Sequence, residues 1–206
     1  MIFDFCGRKG YGNFMNICVY GASSNEIDKS FIAAAETLGR HIAKRSHTLV
    51  YGAGMGGVMG GTARGVTDGG GKIIGIVPSF FNVDGMLYDK CTEMIKTSTM
   101  RERKQLMEET ADAFIMAPGG IGTFDEFFEI LTLKQLSRHT KALAILNING
   151  YFDDLISFME HAVSEKFIKA ECRELYRVFS DIDELLDYFE SYTPTDLNIL
   201  NFKDIK

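Results

Sequence analysis

Basic residues are in the minority here: 22 Lys and Arg stand against 28 Asp and Glu in 206 residues, a formal net charge of -6. Such a chain has no global attraction for a phosphate backbone, so nucleic acid is not an expected partner. Cysteine and histidine are sparse and scattered. The four cysteines, Cys6, Cys18, Cys91 and Cys172, form no CxxC pair, and the four histidines, His41, His47, His139 and His161, show no HxxxH spacing. Neither a zinc site nor a disulfide framework is expected from that pattern, and idle thiols suit a reducing cytosol. No metal ligand and no cofactor is assigned. No apolar run approaches the roughly 20 residues that span a bilayer. The amino-terminal "MIFDFCGRKGYGNF" carries Asp4 early and lacks the long apolar core of a signal peptide. A soluble, cytoplasmic protein with no membrane partner is the expectation. Internal repeats, low-complexity tracts and a convincing linker are missing as well.

What is present is enough apolar material for one core: 46% of residues are hydrophobic and 24% charged. One domain of ordinary size follows. "NICVYGASS" reads as a short buried strand, 16–20, running into small residues, with Ser24 or Asn25 placed to cap a helix over about 27–45. Phe31, Ala34, Ala35, Leu38 and Ile42 give that helix an apolar face. "TLVYGAGMGGVMGGTARGV" repeats the scheme, and the glycines of its helix imply close approach to a neighbour. "KIIGIVP" is a third strand stopped by Pro78, and a short apolar stretch near Met94 and Ile95 precedes a charged helix from "TMRERKQLMEE". "DAFIMAPGG" gives another strand and the helix from about 123 to 137; "ALAILN" and "YRVFS" are strands, each followed by a helix. Alternation of short unbroken apolar strands with helices predicts an α/β fold, a parallel sheet with helices on both faces.

In such a fold, ligands bind at the carboxyl ends of the strands. Three small-residue loops share that edge: residues 21–24 ("GASS"), 52–57 and 118–123. Each precedes a helix, whose free N–H groups and positive dipole end favour an anion by about 0.3 to 1 kcal/mol at an exposed site. Glycines that serve only turns and packing would explain one loop better than three. Gly52, Gly54 and Gly57 satisfy GxGxxG, yet the next strand ends in proline and serine where a dinucleotide site needs an acid, which demotes NAD. Gly71-Lys72 departs from GxxxxGK[ST] on both sides, which demotes ATP hydrolysis. A phosphate compound remains the natural guest.

Asp125, Glu126 and Glu129 follow the third loop at once. Glu126 and Glu129 share a helix face, whereas adjacent Asp125 and Glu126 diverge by about 100°, so only part of the trio can face the crevice. A carboxylate there suits a sugar hydroxyl or an attacking water rather than the phosphate. The balancing cation is sought in "MRERK", which offers Arg101, Arg103 and Lys104; a solvated face paired with Glu102, Glu108 and Glu109 is the simpler alternative. Spacing does not decide between them.

"VYGAGMGGVMG" (50–60), "MRERK" (100–104) and "PGGIGTFDE" (118–126) occur in this order over a chain that, from about Asn16 to the "YTP" at 192–194, resembles the Lonely Guy family of cytokinin riboside 5'-monophosphate phosphoribohydrolases. The resemblance implies a Rossmann-like three-layer fold, hydrolysis of a nucleoside 5'-monophosphate to free base and ribose 5-phosphate, and a homodimer. It maps the phosphate-holding motif onto Gly119, Gly120, Gly122 and Thr123, the catalytic glutamate onto Glu126 and the catalytic arginine onto Arg103. An oxocarbenium-like ribose is a chemistry these two groups suit. Ser23, Gly54, Met100 and Lys104 complete the expected substrate-binding set. Arg101 stands where many members have histidine, Asp125 where glutamate is frequent, and Ala53 interrupts a frequent triple glycine. Residues 1–15 are expected to be an amino-terminal extension, with Met15 where many relatives begin, 16–194 the hydrolase domain and 195–206 a tail. The competing expectation is a nucleotide-binding or carrier module that does not hydrolyse its ligand. A lysine decarboxylase, a label sometimes attached to the family, needs a Schiff-base lysine, for which "SRHTK" (137–141) is a poor match.

Overall fold

A computed structural model of the chain describes residues 14–81, 85–194 and 199–202. Residues 1–13, with Cys6, and most of the expected tail lie outside the described residues. Strands and helices alternate as β1 (Asn16–Tyr20), α1 (Lys29–Lys44), β2 (Thr48–Tyr51), α2 (Gly57–Asp68), β3 (Lys72–Pro78), β4 (Glu93–Thr97), α3 (Met100–Thr110), β5 (Ala113–Met116), α4 (Ile121–Gln135), β6 (Ala142–Leu146), α5 (Asp153–Ser164), β7 (Arg177–Phe179), α6 (Ile182–Ser191) and a last short turn of helix, α7 (Ile199–Phe202). The seven strands form one parallel sheet in the order β4-β3-β2-β1-β5-β6-β7. This is the expected three-layer α/β arrangement.

Successive strand residues point to opposite faces, so each apolar strand feeds two cores. Ile17, Val19, Leu49, Tyr51, Ile115 and Leu146 pack with α1, α2 and α6. Their neighbours Cys18, Tyr20, Val50, Phe114 and Ile145 pack with α3, α4, α5 and α7. Among the described residues no helix is long and apolar enough to cross a membrane. Cys18 and Cys172 are buried free thiols and Cys91 is half-buried.

Two details of the helices answer the sequence reading. The cap of α1 is Asp28, whose carboxylate accepts the Ser30 N–H, rather than Ser24 or Asn25. Those two are used nearby: Ser24 Oγ accepts the Glu26 N–H in a turn, and Asn25 Oδ1 accepts the Gly57 N–H at 2.8 Å. The glycines of α2 do permit a close approach, and the neighbour is α1. A Cβ at Gly65 would fall 2.0 Å from the Glu36 carbonyl oxygen.

The chain lays down β1 to β4 outward in one direction and then returns to place β5 on the other side of β1. The crevice of such a sheet opens at that reversal, between the ends of β1 and β5.

Candidate active site

Hydrogen bonds join the three small-residue loops into one platform at this crevice. The Ala117 N–H donates to the Tyr20 carbonyl at 2.9 Å, and the Ala22 N–H to the Pro118 carbonyl at 3.0 Å. The Met59 N–H donates to the Ala22 carbonyl at 3.0 Å, and Asn25 holds Gly57 from its side chain. Ser23 is exposed on the first loop. Gly54 on the second forms an isolated antiparallel bridge with Leu87.

The third loop runs straight into α4. Gly119 lies beneath Thr123, where a Cβ would meet Thr123 Oγ1 at 2.1 Å, and Thr123 itself is buried. Around Gly120 and Gly122 the space is open: a Cβ at either meets no atom within 4 Å. Gly120 is the residue before the helix and brings no capping side chain. The first amides of α4 are left to bind an anion by geometry and by the helix dipole.

The cation comes from α3. Thr99 caps this helix in a reciprocal box with Glu102, whose carboxylate accepts the Thr99 and Ser98 N–H groups. That fixes the start of α3 and turns Arg103 inward. The Arg103 Nε donates to the Ile76 carbonyl at the end of β3, at 3.1 Å, and Nη1 donates to Glu126 Oε1 at 2.6 Å. Both side chains are nearly enclosed, 9% and 13% exposed. Gly52 makes the room, because a Cβ there would lie 2.0 Å from Nη2 of Arg103. Burial pushes the Glu126 carboxyl above its ordinary value, against the pull of the Arg103 charge and hydrogen bond.

The other two acids take a different cation. Lys104 of α3 bridges Asp125, at 3.1 Å, and Glu129, both on α4. The expected divergence of Asp125 from Glu126 holds, but the shared cation joins Asp125 to Glu129, four residues apart, and leaves Glu126 to Arg103. The alternative of three basic side chains paired with Glu102, Glu108 and Glu109 does not occur. A cleft of about 290 Å³ between α3 and α4, lined by Tyr20, Arg101, Lys104, Gln105, Glu126 and Glu129, reaches the Glu126 carboxylate. Met100, the first residue of α3, is exposed.

The model of the family described as "Possible lysine decarboxylase" matches residues 59–189. Curated relatives carry a different name. The cytokinin riboside 5'-monophosphate phosphoribohydrolase LOG2 of Arabidopsis thaliana is 38% identical over 88% of this chain and 85% of its own length. The probable cytokinin riboside 5'-monophosphate phosphoribohydrolase LOGL9 of Oryza sativa subsp. japonica is 35% identical over 93% and 84%. The chain belongs to the Lonely Guy family. Solved structures agree on the fold. A molybdenum cofactor binding protein from Rippkaea orientalis superposes with a TM-score of 0.67 at 22% identity, covering 87% of this chain and 97% of that one. The molybdenum cofactor carrier protein of Chlamydomonas reinhardtii gives 0.63 at 19% identity, over 85% and 95%.

In this Lonely Guy protein the residues that local spacing did not single out are those acting across the chain. The Ile76 carbonyl leaves no periodic or motif signal of its own, while Gly52 and Asn25 stand out in the sequence only as part of GxGxxG and as a cap candidate, not as the gap for Arg103 and the holder of Gly57. Among the described residues the most enclosed lysine, Lys134, is 1% exposed at the far end of α4 from the glycine platform. Burial lowers its ammonium to about 8, and it donates to the Tyr192 hydroxyl at 3.1 Å.

Proposed function

We propose that the protein hydrolyses the N-glycosidic bond of a nucleoside 5'-monophosphate, an N6-modified adenine cytokinin nucleotide, AMP or both. Water is consumed, and free base and ribose 5-phosphate are released. The observation that carries this reading is the enclosed Arg103–Glu126 pair beside an open glycine platform at the sheet's reversal point. Gly119, Gly120, Gly122 and Thr123 hold the phosphate through the first amides of α4, with Ser23 and Gly54 on the adjoining loops and Met100 and Lys104 on α3. Arg103 occupies one oxygen of Glu126. Among the described residues the other accepts no hydrogen bond, and it serves the ribose or the attacking water. A carboxylate in a low-dielectric site stabilises the positive charge that develops on the sugar as the bond to the base breaks. The reading extends to a cytoplasmic homodimer, whose oligomeric state light scattering on the purified protein tests directly.

Chromatography of protein incubated separately with AMP and N6-isopentenyl-AMP tests the chemistry. Base and ribose 5-phosphate are expected from at least one of them, and the ratio of rates identifies the preferred base. Nucleotide that stays bound and intact would replace the hydrolase with a carrier. Glu126→Gln keeps the shape and removes the charge, so it should bind AMP while losing about 10²- to 10⁴-fold in kcat. Full activity in that variant would move the catalytic role to another residue.

A further inference from the structure

Tyr151 lies in the turn after β6, remote in sequence from every motif above. Its hydroxyl donates to the Gly119 carbonyl at 2.7 Å. The ring is held edge-on by Phe31, with centroids 5.6 Å apart, and by Phe152 at 4.9 Å. The turn beneath it is equally fixed. Asn147 is buried; its Oδ1 accepts the Phe152 N–H and its Nδ2 donates to Asp153. Asn149 and Gly150 both adopt left-handed backbone, with φ of 55° and 70°, and Asn149 Nδ2 donates to Ser30 Oγ on α1.

The contact matters because of the peptide it grips. Three successive carbonyls lead into α4. The Pro118 carbonyl accepts the Ala22 N–H and the Gly120 carbonyl accepts the Phe124 N–H, both backbone to backbone. The middle one, on buried Gly119, accepts from the Tyr151 side chain. In a trans peptide the C=O and the following N–H point in opposite directions. A hydroxyl that draws the Gly119 oxygen toward the β6 turn therefore aims the Gly120 N–H the other way. Glycine on both sides offers this peptide little resistance to rotation, because neither residue has a Cβ to restrict it. Without the hydroxyl, a buried carbonyl would lose its partner and gain a reason to turn.

We propose that Tyr151 is a positioning residue of the phosphate site, fixing the Gly119–Gly120 peptide so that its amide is presented to the 5'-phosphate. The role rests on the phosphate assignment made under the hydrolase reading, but not on hydrolysis itself. Tyr151→Phe keeps the ring and its two aromatic neighbours and removes only the hydroxyl. Calorimetric titration with ribose 5-phosphate should show affinity about tenfold weaker than wild type, while the thermal midpoint drops by only about 2 to 4 °C, the cost of one hydrogen bond. With AMP, KM should rise by a similar factor while kcat stays within about threefold, the mark of lost ground-state binding. Unchanged affinity for ribose 5-phosphate in the variant would overturn the proposal. So would a variant already partly unfolded at the titration temperature, or wild-type protein that binds no ribose 5-phosphate. Wild-type protein that binds ribose 5-phosphate yet releases no base would remove the hydrolase reading and leave this titration to decide the role of Tyr151.

Discussion

At Gly52 a single added methyl group would put its carbon 2.0 Å from Nη2 of Arg103, well inside contact distance. The guanidinium also holds the Ile76 carbonyl and Glu126, so it has no neighbouring position that keeps both bonds. Gly52→Ala is therefore expected to lower kcat by about 10²-fold, the usual consequence of misplacing a reacting group by an ångström. Base-release kinetics beside an unchanged far-UV spectrum would check it. The acid itself predicts a pH dependence. Its burial raises the Glu126 carboxyl above 4.5, so the carboxylate proposed to act on the sugar is lost, as pH falls, earlier than an exposed glutamate would lose it. The acidic limb of kcat/KM should lie above pH 4.5. Arg103→Gln, which removes the largest opposing influence, should move that limb further up in whatever activity remains. A limb at or below 4.5 in wild type would mean that another group titrates.

Between elements the tightest fit is α1 against α2. A Cβ at Gly65 would meet the backbone oxygen of Glu36 at 2.0 Å, so Gly65→Ala can be accommodated only by moving a helix. A loss of about 1–3 kcal/mol is expected from urea denaturation, in spite of the better helix propensity of alanine. Packing of this kind was legible as glycines in an otherwise helical run, because periodicity survives in a single sequence. The strands were legible for the same reason: β5 and β6 are buried along their whole length and read as unbroken apolar runs. Less was legible where a side chain had more than one use. Ser24 and Asn25 are both good caps, yet each serves a turn or a neighbouring loop, and α1 begins at Lys29 after Asp28. Likewise α4 begins at Ile121, ahead of the expected 123, because Ile121 and Gly122 already adopt its first turn. Which basic residue of "MRERK" faces inward depends on the rotation of α3, and the Thr99–Glu102 box and the Ile76 carbonyl set that rotation across space. The pairing of Arg103 with Glu126 was accessible through family resemblance, not through spacing. Tyr151 was accessible through neither.

For the whole molecule one contribution to the acid side of the stability curve comes from a histidine far from the chemistry. His139 is buried in the second core, next to the Phe114 ring. The Lys141 N–H donates to its Nδ1, so the proton sits on Nε2 and is given to the Ile130 carbonyl at 2.8 Å. A second proton would have to enter at Nδ1, against an N–H already pointing there. Burial, aided by the charges of Lys134 and Lys141, lowers the ring from 6.5 to about 4. A depressed folded value means stability that is complete above pH 6.5 and is lost as pH falls toward 4, roughly 3 kcal/mol in all. Denaturation at a series of pH values should show this slope, and His139→Gln should flatten it. At the crevice, the partners of one side chain come from separate strand–helix units: the gap at Gly52 after β2, the carbonyl of Ile76 on β3 and the acid of Glu126 on α4, with Arg103 itself on α3. A sheet that lacks any one of β2 to β5 and the helices after them cannot hold all of them. A refolding chain can regain its helices unit by unit, but it regains a working arginine only when the last of these units has docked.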